Sequence, residues 1–227
     1  EFKMLFDGTS LENFRGYSHE EITGWNIVDG MLHASGKGGD IISKETYENF
    51  ELHLEWKSSK GANSGILYRV QTGDKASYYS GPEYQILDDE NHDIKSDDAT
   101  STGGLYALYQ PKNKKLNPAG EWNRAKIIVN NHVVEHWLNG TKLLEADMRS
   151  KDWKDRVANS KFDKWKTFQF FKSLNINTPK TYLTINDAFE ENTATTEQIQ
   201  TQYELLRSRK FAERVIARLD LMNDLDF

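Results

Sequence analysis

The chain has no cysteine, no apolar run of the roughly eighteen residues that a membrane-spanning helix needs, and no surplus of positive charge. Without thiols there are no disulfides and no thiolate metal ligands, so a metal would have to be held by His, Asp, Glu or carbonyl oxygen. A net charge of −6 argues against the concentrated Lys/Arg face that nucleic acid requires. The opening "EFKMLFDG" lacks a basic segment followed by an apolar one, so a secretory signal is absent or already removed. No Gly-x-Ser-x-Gly and no phosphate-cradling glycine loop occurs, which leaves serine hydrolase and nucleotide chemistry unsupported.

What is present, over the first 150 or so of 227 residues, is a series of short strands separated by turn signals. Asp29-Gly30 in "WNIVDGMLHASG" favours the positive φ angles of a two-residue hairpin turn. "FELHLEWKS" alternates Phe50, Leu52, Leu54 and Trp56 with Glu51, His53, Glu55 and Lys57, the pattern of a half-buried strand. "WNRAKIIVNNHVVEHWLNGTKLLEADM" reads as a three-strand meander with turns at Asn130-Asn131 and Asn139-Gly140. Strands at this spacing imply an antiparallel sandwich or barrel. "KDWKDRVANSKF" predicts a short helix with Trp153 and Val157 on one face. From Thr195 onward the apolar spacing turns helical: Ile199, Tyr203 and Leu206, then Ala212, Ile216 and Leu219, with Ser208 as a cap between two helices.

The chemistry concentrates in "GPEYQILDDENH". Strand side chains alternate, so Glu83 and Gln85 share a face, and Asp88 and His92 follow at the strand's end. Such groups can act as acid, base or metal ligand when a cleft tunes them; taken alone, the pattern also describes a partly solvated strand entering a polar loop. "NSGILYRV" puts Ile66 and Tyr68 on one face and Leu67 and Arg69 on the other, with Arg69 either clamping a ligand or serving the sheet. "SDDATST" reads as a solvated turn in preference to a calcium loop, because no Asp-x-Asp-x-Asp-Gly pattern is present. His33, His53, His132 and His136 have no partner at ligand spacing and read as surface or cross-strand residues.

In order and spacing, "FELHLEWKSSKGANSGILYRV", "SGPEYQILDDENH", "TGGLYALYQP", "NPAGEWNRAKIIVNNHVVEHWLNGTKLLEADM" and "WKDRVANSKFDKWKTF" closely resemble the 3-keto-disaccharide hydrolase family, over about residues 3–168. The resemblance implies a mainly β fold, an antiparallel concanavalin-like jelly-roll sandwich, in a periplasmic or extracellular protein that acts on glycosides oxidised at C3. It implies Glu83, Asp88 and His92 as catalytic residues, with Asn63, Tyr68, Arg69, Gln85 and Tyr106 binding substrate. A divalent metal at His92 and Asp88 would fit the same chemistry, and carbohydrate is the implied partner. A lectin-like binding module on the same fold is the alternative. Residues 182–227 resemble instead part of the periplasmic region of polysaccharide co-polymerases. The family's closing strand is therefore expected to be missing after Phe168, with residues 169–227 forming a junction and a C-terminal helical appendage, as in a fusion fragment.

Overall fold

The computed structural model describes residues 2–73 and 76–160, together with the backbone of three later strands, Tyr182–Asn186, Tyr203–Leu205 and Ile216–Leu219. In chain order the strands are β1 (Phe2–Met4), β2 (Phe14–Gly16), β3 (Trp25–Val28), β4 (Met31–Ala34), β5 (Ile41–Ser43), β6 (Phe50–Ser58), β7 (Asn63–Val70) and β8 (Glu83–Leu87). They continue with β9 (Asn123–Asn130), β10 (Val133–Leu138), β11 (Thr141–Asp147), a helix α1 (Lys151–Asn159), and then β12, β13 and β14, the three later strands. All the pairings are antiparallel, and they form two sheets. One runs β11-β10-β9-β6-β13-β4-β3, with β14 also on β6 and β1 on β14. The other runs β2-β5-β12-β7-β8. Among the described residues no helix is long and apolar enough to cross a membrane.

The alternation in β6 decides which way the larger sheet faces. Phe50, Leu52, Leu54 and Trp56 are buried while Glu51, His53, Glu55 and Lys57 stay partly exposed. Each large inward side chain contributes roughly 1.5–3 kcal/mol of burial. The outward row pairs with its neighbours, as in Arg124 to Glu55 at 2.6 Å and the Lys126 ammonium 3.9 Å from the Trp137 ring. Asp29 and Gly30 (φ 50° and 74°) and Asn139 and Gly140 (φ 47° and 80°) make the two hairpin turns expected of them. The β9–β10 turn falls one residue later than expected, at Asn131-His132, with Asn131 at φ 52°. The helix α1 forms as expected, Ser150 Oγ accepting the Trp153 N–H at 3.0 Å and Trp153 and Val157 turning into the core.

The tail departs from expectation. At Tyr203–Leu205 and Ile216–Leu219 the chain is strand, not helix, and both strands lie along one edge of β6: Leu205 opposite Trp56, and Ala217 opposite Leu52. β13 also pairs with β4, and β14 with β1. β12 lies between β5 and β7, so the smaller sheet has a continuous row where a missing strand was expected. Helical periodicity is a weak local preference; the unpaired N–H and C=O groups of β6, β4 and β7 offer ladder partners, and that tertiary demand overrides it. The remainder of the helical expectation, including Ser208, lies outside the described residues.

One polar group joins the two sheets through the core. His136, at an inward position of β10, has no exposed surface; its ring takes the Tyr68 hydroxyl at 2.9 Å and the Gly103 carbonyl at 3.0 Å. A carbonyl can only accept, so Nδ1 carries the proton and Nε2 accepts from Tyr68. Burial pushes the imidazole pKa down to about 4. The unfolded chain takes up this proton below about pH 6.5 and the folded chain only near 4, so the stability held above pH 6.5 is lost as pH falls through that window, by about 2–3 kcal/mol. The urea midpoint of the wild type should therefore fall more steeply between pH 7 and 4.5 than that of His136→Gln. Parallel profiles would show that His136 is not held neutral.

Candidate active site

β7 and β8 run antiparallel with Gly65 opposite Gln85 and Asn63 opposite Leu87. Tyr84 and Ile86 point into the core between the sheets, so Glu83 and Gln85 stand on the outer face of the smaller sheet. Both are nonetheless buried, at 6% and 3% exposure. The Glu83 carboxylate lies across Gly65: a Cβ built there would sit 2.1 Å from Glu83 Oε1. Only a residue without a side chain leaves that space, which is the local reason for a glycine inside β7. Further along, Gln85 Nε2 donates to Asn63 Oδ1 at 3.1 Å, fixing the orientation of both amides.

The far edge of β8 is held by the segment 102–106. Gly103 N donates to Gln85 O (2.8 Å), Gln85 N to Gly104 O (3.1 Å) and Tyr106 N to Glu83 O (3.0 Å). Thr102 Oγ1 bonds both the N–H and the carbonyl of Leu87. Asp89 Oδ1 accepts the Thr102 N–H, and its other oxygen pairs with Lys114, whose side chain is almost wholly buried. Asp98 Oδ1 takes both the N–H and the hydroxyl of Thr100, so "SDDATST" is the turn its sequence suggests.

At the end of β8, Asp88 and His92 converge on one residue, Gly61. Asp88 Oδ2 accepts the Gly61 N–H at 2.7 Å and also an Asn91 amide hydrogen. His92 Nε2 lies 3.1 Å from the Gly61 carbonyl, which only accepts, so Nε2 carries the proton and Nδ1 is left open. The expected metal pair can therefore offer an ion Nδ1 of His92 and the second oxygen of Asp88. Among the described residues no group of three or more His, Asp or Glu is placed to bind a metal. Two donors do not make a closed site, and no step below runs through an ion.

Of the expected residues, Glu83 (opposite Leu67), Gln85 (opposite Gly65) and Asn63 (opposite Leu87) thus follow one another along the outer face of the β7–β8 pair, and Asp88 and His92 lie beyond its Asn63–Leu87 end, at Gly61. Two do not join them. Tyr68 faces the core, fully buried against His136, because it shares the inward phase of Ile66. Arg69 has φ 56° and sits in an irregularity of the β7–β12 ladder, and its guanidinium donates to the Asn131 carbonyl on the larger sheet's hairpin. The Tyr106 contact with Glu83 is through its backbone N–H. Gly65, Asp89 and Lys114 went unpredicted; an isolated glycine in a strand pattern is a signal of close approach that could have marked the first.

Residues 1–193 match the family described as the 3-keto-alpha-glucoside-1,2-lyase-like domain, and the chain belongs to that family. A 3-keto-disaccharide hydrolase of Bacteroides thetaiotaomicron is 38% identical over 186 residues, covering 71% of this chain and 64% of that protein, so the chain spans less than two thirds of this relative's length. A solved structure described as a glycosyl hydrolase from Parabacteroides distasonis superposes with a TM-score of 0.77 at 29% identity, over 95% of this chain and 92% of that one. A second from the same organism, at 24% identity and a TM-score of 0.66, shares the fold. The resemblance of residues 182–227 to polysaccharide co-polymerases receives no support, and the family match runs past Phe168, where it was expected to stop.

Gly65→Ala tests the placement of Glu83. The added methyl would collide with the Glu83 side chain, so the urea midpoint should fall by about 1 kcal/mol equivalent, and adding Glu83→Ala to the same chain should relieve part of that loss. Strictly additive losses would mean that the carboxylate does not lie over Gly65.

Proposed function

We propose that the chain cleaves 3-keto-glycosides by elimination and hydration. A ketone at C3 acidifies the C2 hydrogen. Glu83 removes that proton, the C2–H electron pair forms the enolate, and the amide hydrogens of the Gln85–Asn63 pair stabilise the enolate oxygen. The electrons then return to form a C1–C2 double bond as the C1–O bond breaks. His92, once Nδ1 has taken up a proton from solvent, gives that proton to the departing oxygen; water then adds its hydroxyl to C1 and a proton returns to C2, releasing the free 3-keto sugar. Asp88 acts through the Gly61 turn, holding it where His92 meets it.

The observation that carries this reading is the buried Glu83 carboxylate held over Gly65 beside an oriented amide pair, in a chain of this family. A fixed amide neighbour needs no reorganisation when the enolate forms.

The two roles separate by leaving group. On a 3-keto-glucoside with an alkyl aglycone, Glu83→Gln and His92→Ala should each lose at least about tenfold in turnover, and His53→Ala should stay within about twofold. With a nitrophenolate leaving group, which departs without a proton, His92→Ala should recover and Glu83→Gln should not. Recovery of both or neither would overturn the assignment. A lectin-like module would bind the sugar and leave the ketone unconsumed, and EDTA followed by divalent ions would report any dependence on metal.

A further inference from the structure

A cavity of about 310 Å3 opens beyond the end of β8, between Leu87–Glu90 and the segment from Lys114 to Ala119, and is bordered by Ser58 at the end of β6. It lies at the small end of the range for ligand sites, roughly 300–1,000 Å3, and has room for one sugar ring. Its lining is mixed. Leu87, Leu116 and Pro118 offer apolar surface for the C–H face of a pyranose, and uncommitted oxygens stand among them. Asp88 uses Oδ2 for both of its hydrogen bonds, leaving Oδ1, and Asn117 donates its amide nitrogen to the Trp122 carbonyl, leaving its own oxygen. Asp89 is different: both of its oxygens are taken, by the Thr102 N–H and by Lys114, so that pair stiffens the wall and leaves Asp88 to face a ligand.

Asp88 belongs to the cavity and to the Gly61 turn that meets His92, and the His92 N–H bonds the Asp88 carbonyl at 3.2 Å. The cavity thus adjoins the proposed leaving-group acid. Three carboxylates, Asp88, Asp89 and Glu90, face it with one ammonium, Lys114, so its charge repels anions. We infer that this cavity is the subsite for the departing sugar of a 3-keto-disaccharide and that it selects a neutral ring over a uronate or a sulfated one. This rests on the cleavage proposed above.

The test compares kcat/KM for three ketones: a neutral 3-keto-disaccharide, its counterpart with a uronic acid as leaving sugar, and methyl 3-keto-glucoside. Wild type should prefer the neutral disaccharide to the uronate by at least about tenfold. Filling the cavity with Ala119→Phe, or independently with Ser96→Leu, should cut the rate on the neutral disaccharide at least about tenfold and leave the methyl glycoside within about twofold. Equal loss on both, no loss on the disaccharide, or indifference to the uronate's charge would overturn the inference. If no ketone is consumed at all, the cleavage reading fails separately, and the cavity is then judged by NMR titration with unoxidised cellobiose. Shifts at the Ser96 and Ala119 amides that vanish in the filled variants would support the subsite, and their absence in wild type would overturn it.

Discussion

The bond from His136 to Tyr68 and Gly103 is the constraint on which the rest of the architecture hangs. It is a neutral imidazole set among apolar side chains, with one nitrogen committed to a tyrosine of the smaller sheet and the other to the loop that edges β8. Buried polar groups are costly unless fully satisfied, and here every partner has a fixed role, so the two sheets have one relative placement. The Gly103 carbonyl it holds is followed directly by the N–H and carbonyl groups that register 102–106 against Gln85 and Glu83. The depth of the core therefore sets the position of a face that lies on the other side of the sheet.

The features legible in the sequence are those whose cause is local. β6, the Asp29-Gly30 and Asn139-Gly140 turns and α1 follow from alternation, positive φ and capping, and they stand where those rules put them. Alternation put Glu83 and Gln85 on one face with Asp88 and His92 after them, whereas Asn63 entered through the family resemblance, and the β7–β8 register and the contacts with Gly61 are long-range features that no local pattern carries. The same logic placed Tyr68 beside Ile66 and so already turned it away from Glu83, although family resemblance put it in the site. Arg69 was illegible for another reason: a positive φ at a non-glycine residue interrupts the alternation, and no sequence pattern announced it. His136 stands in phase with Val134 and Leu138, so its burial could have been read from "VVEHWL", but its partners lie 68 and 33 residues away along the chain.

The tail carries the other lesson. Helical spacing over Tyr203 and Ile216 is real as a pattern, yet a strand edge with unsatisfied backbone groups is a stronger local demand than a preference of a few tenths of a kcal/mol per residue. β12 shows the same priority in the smaller sheet, where it supplies ladder partners to both β5 and β7.

That arrangement also dictates a timetable. Phe2 pairs with Arg218, and Phe50 with Leu219, so the N-terminal strand and one edge of the longest strand depend on segments made more than 150 residues later. Such non-local pairings demand loop closure before they return any energy, which slows folding. During synthesis β6 can zip to β9 on one side while its other edge waits, exposed to any passing strand, until Tyr203–Leu205 and Ile216–Leu219 arrive to cover it.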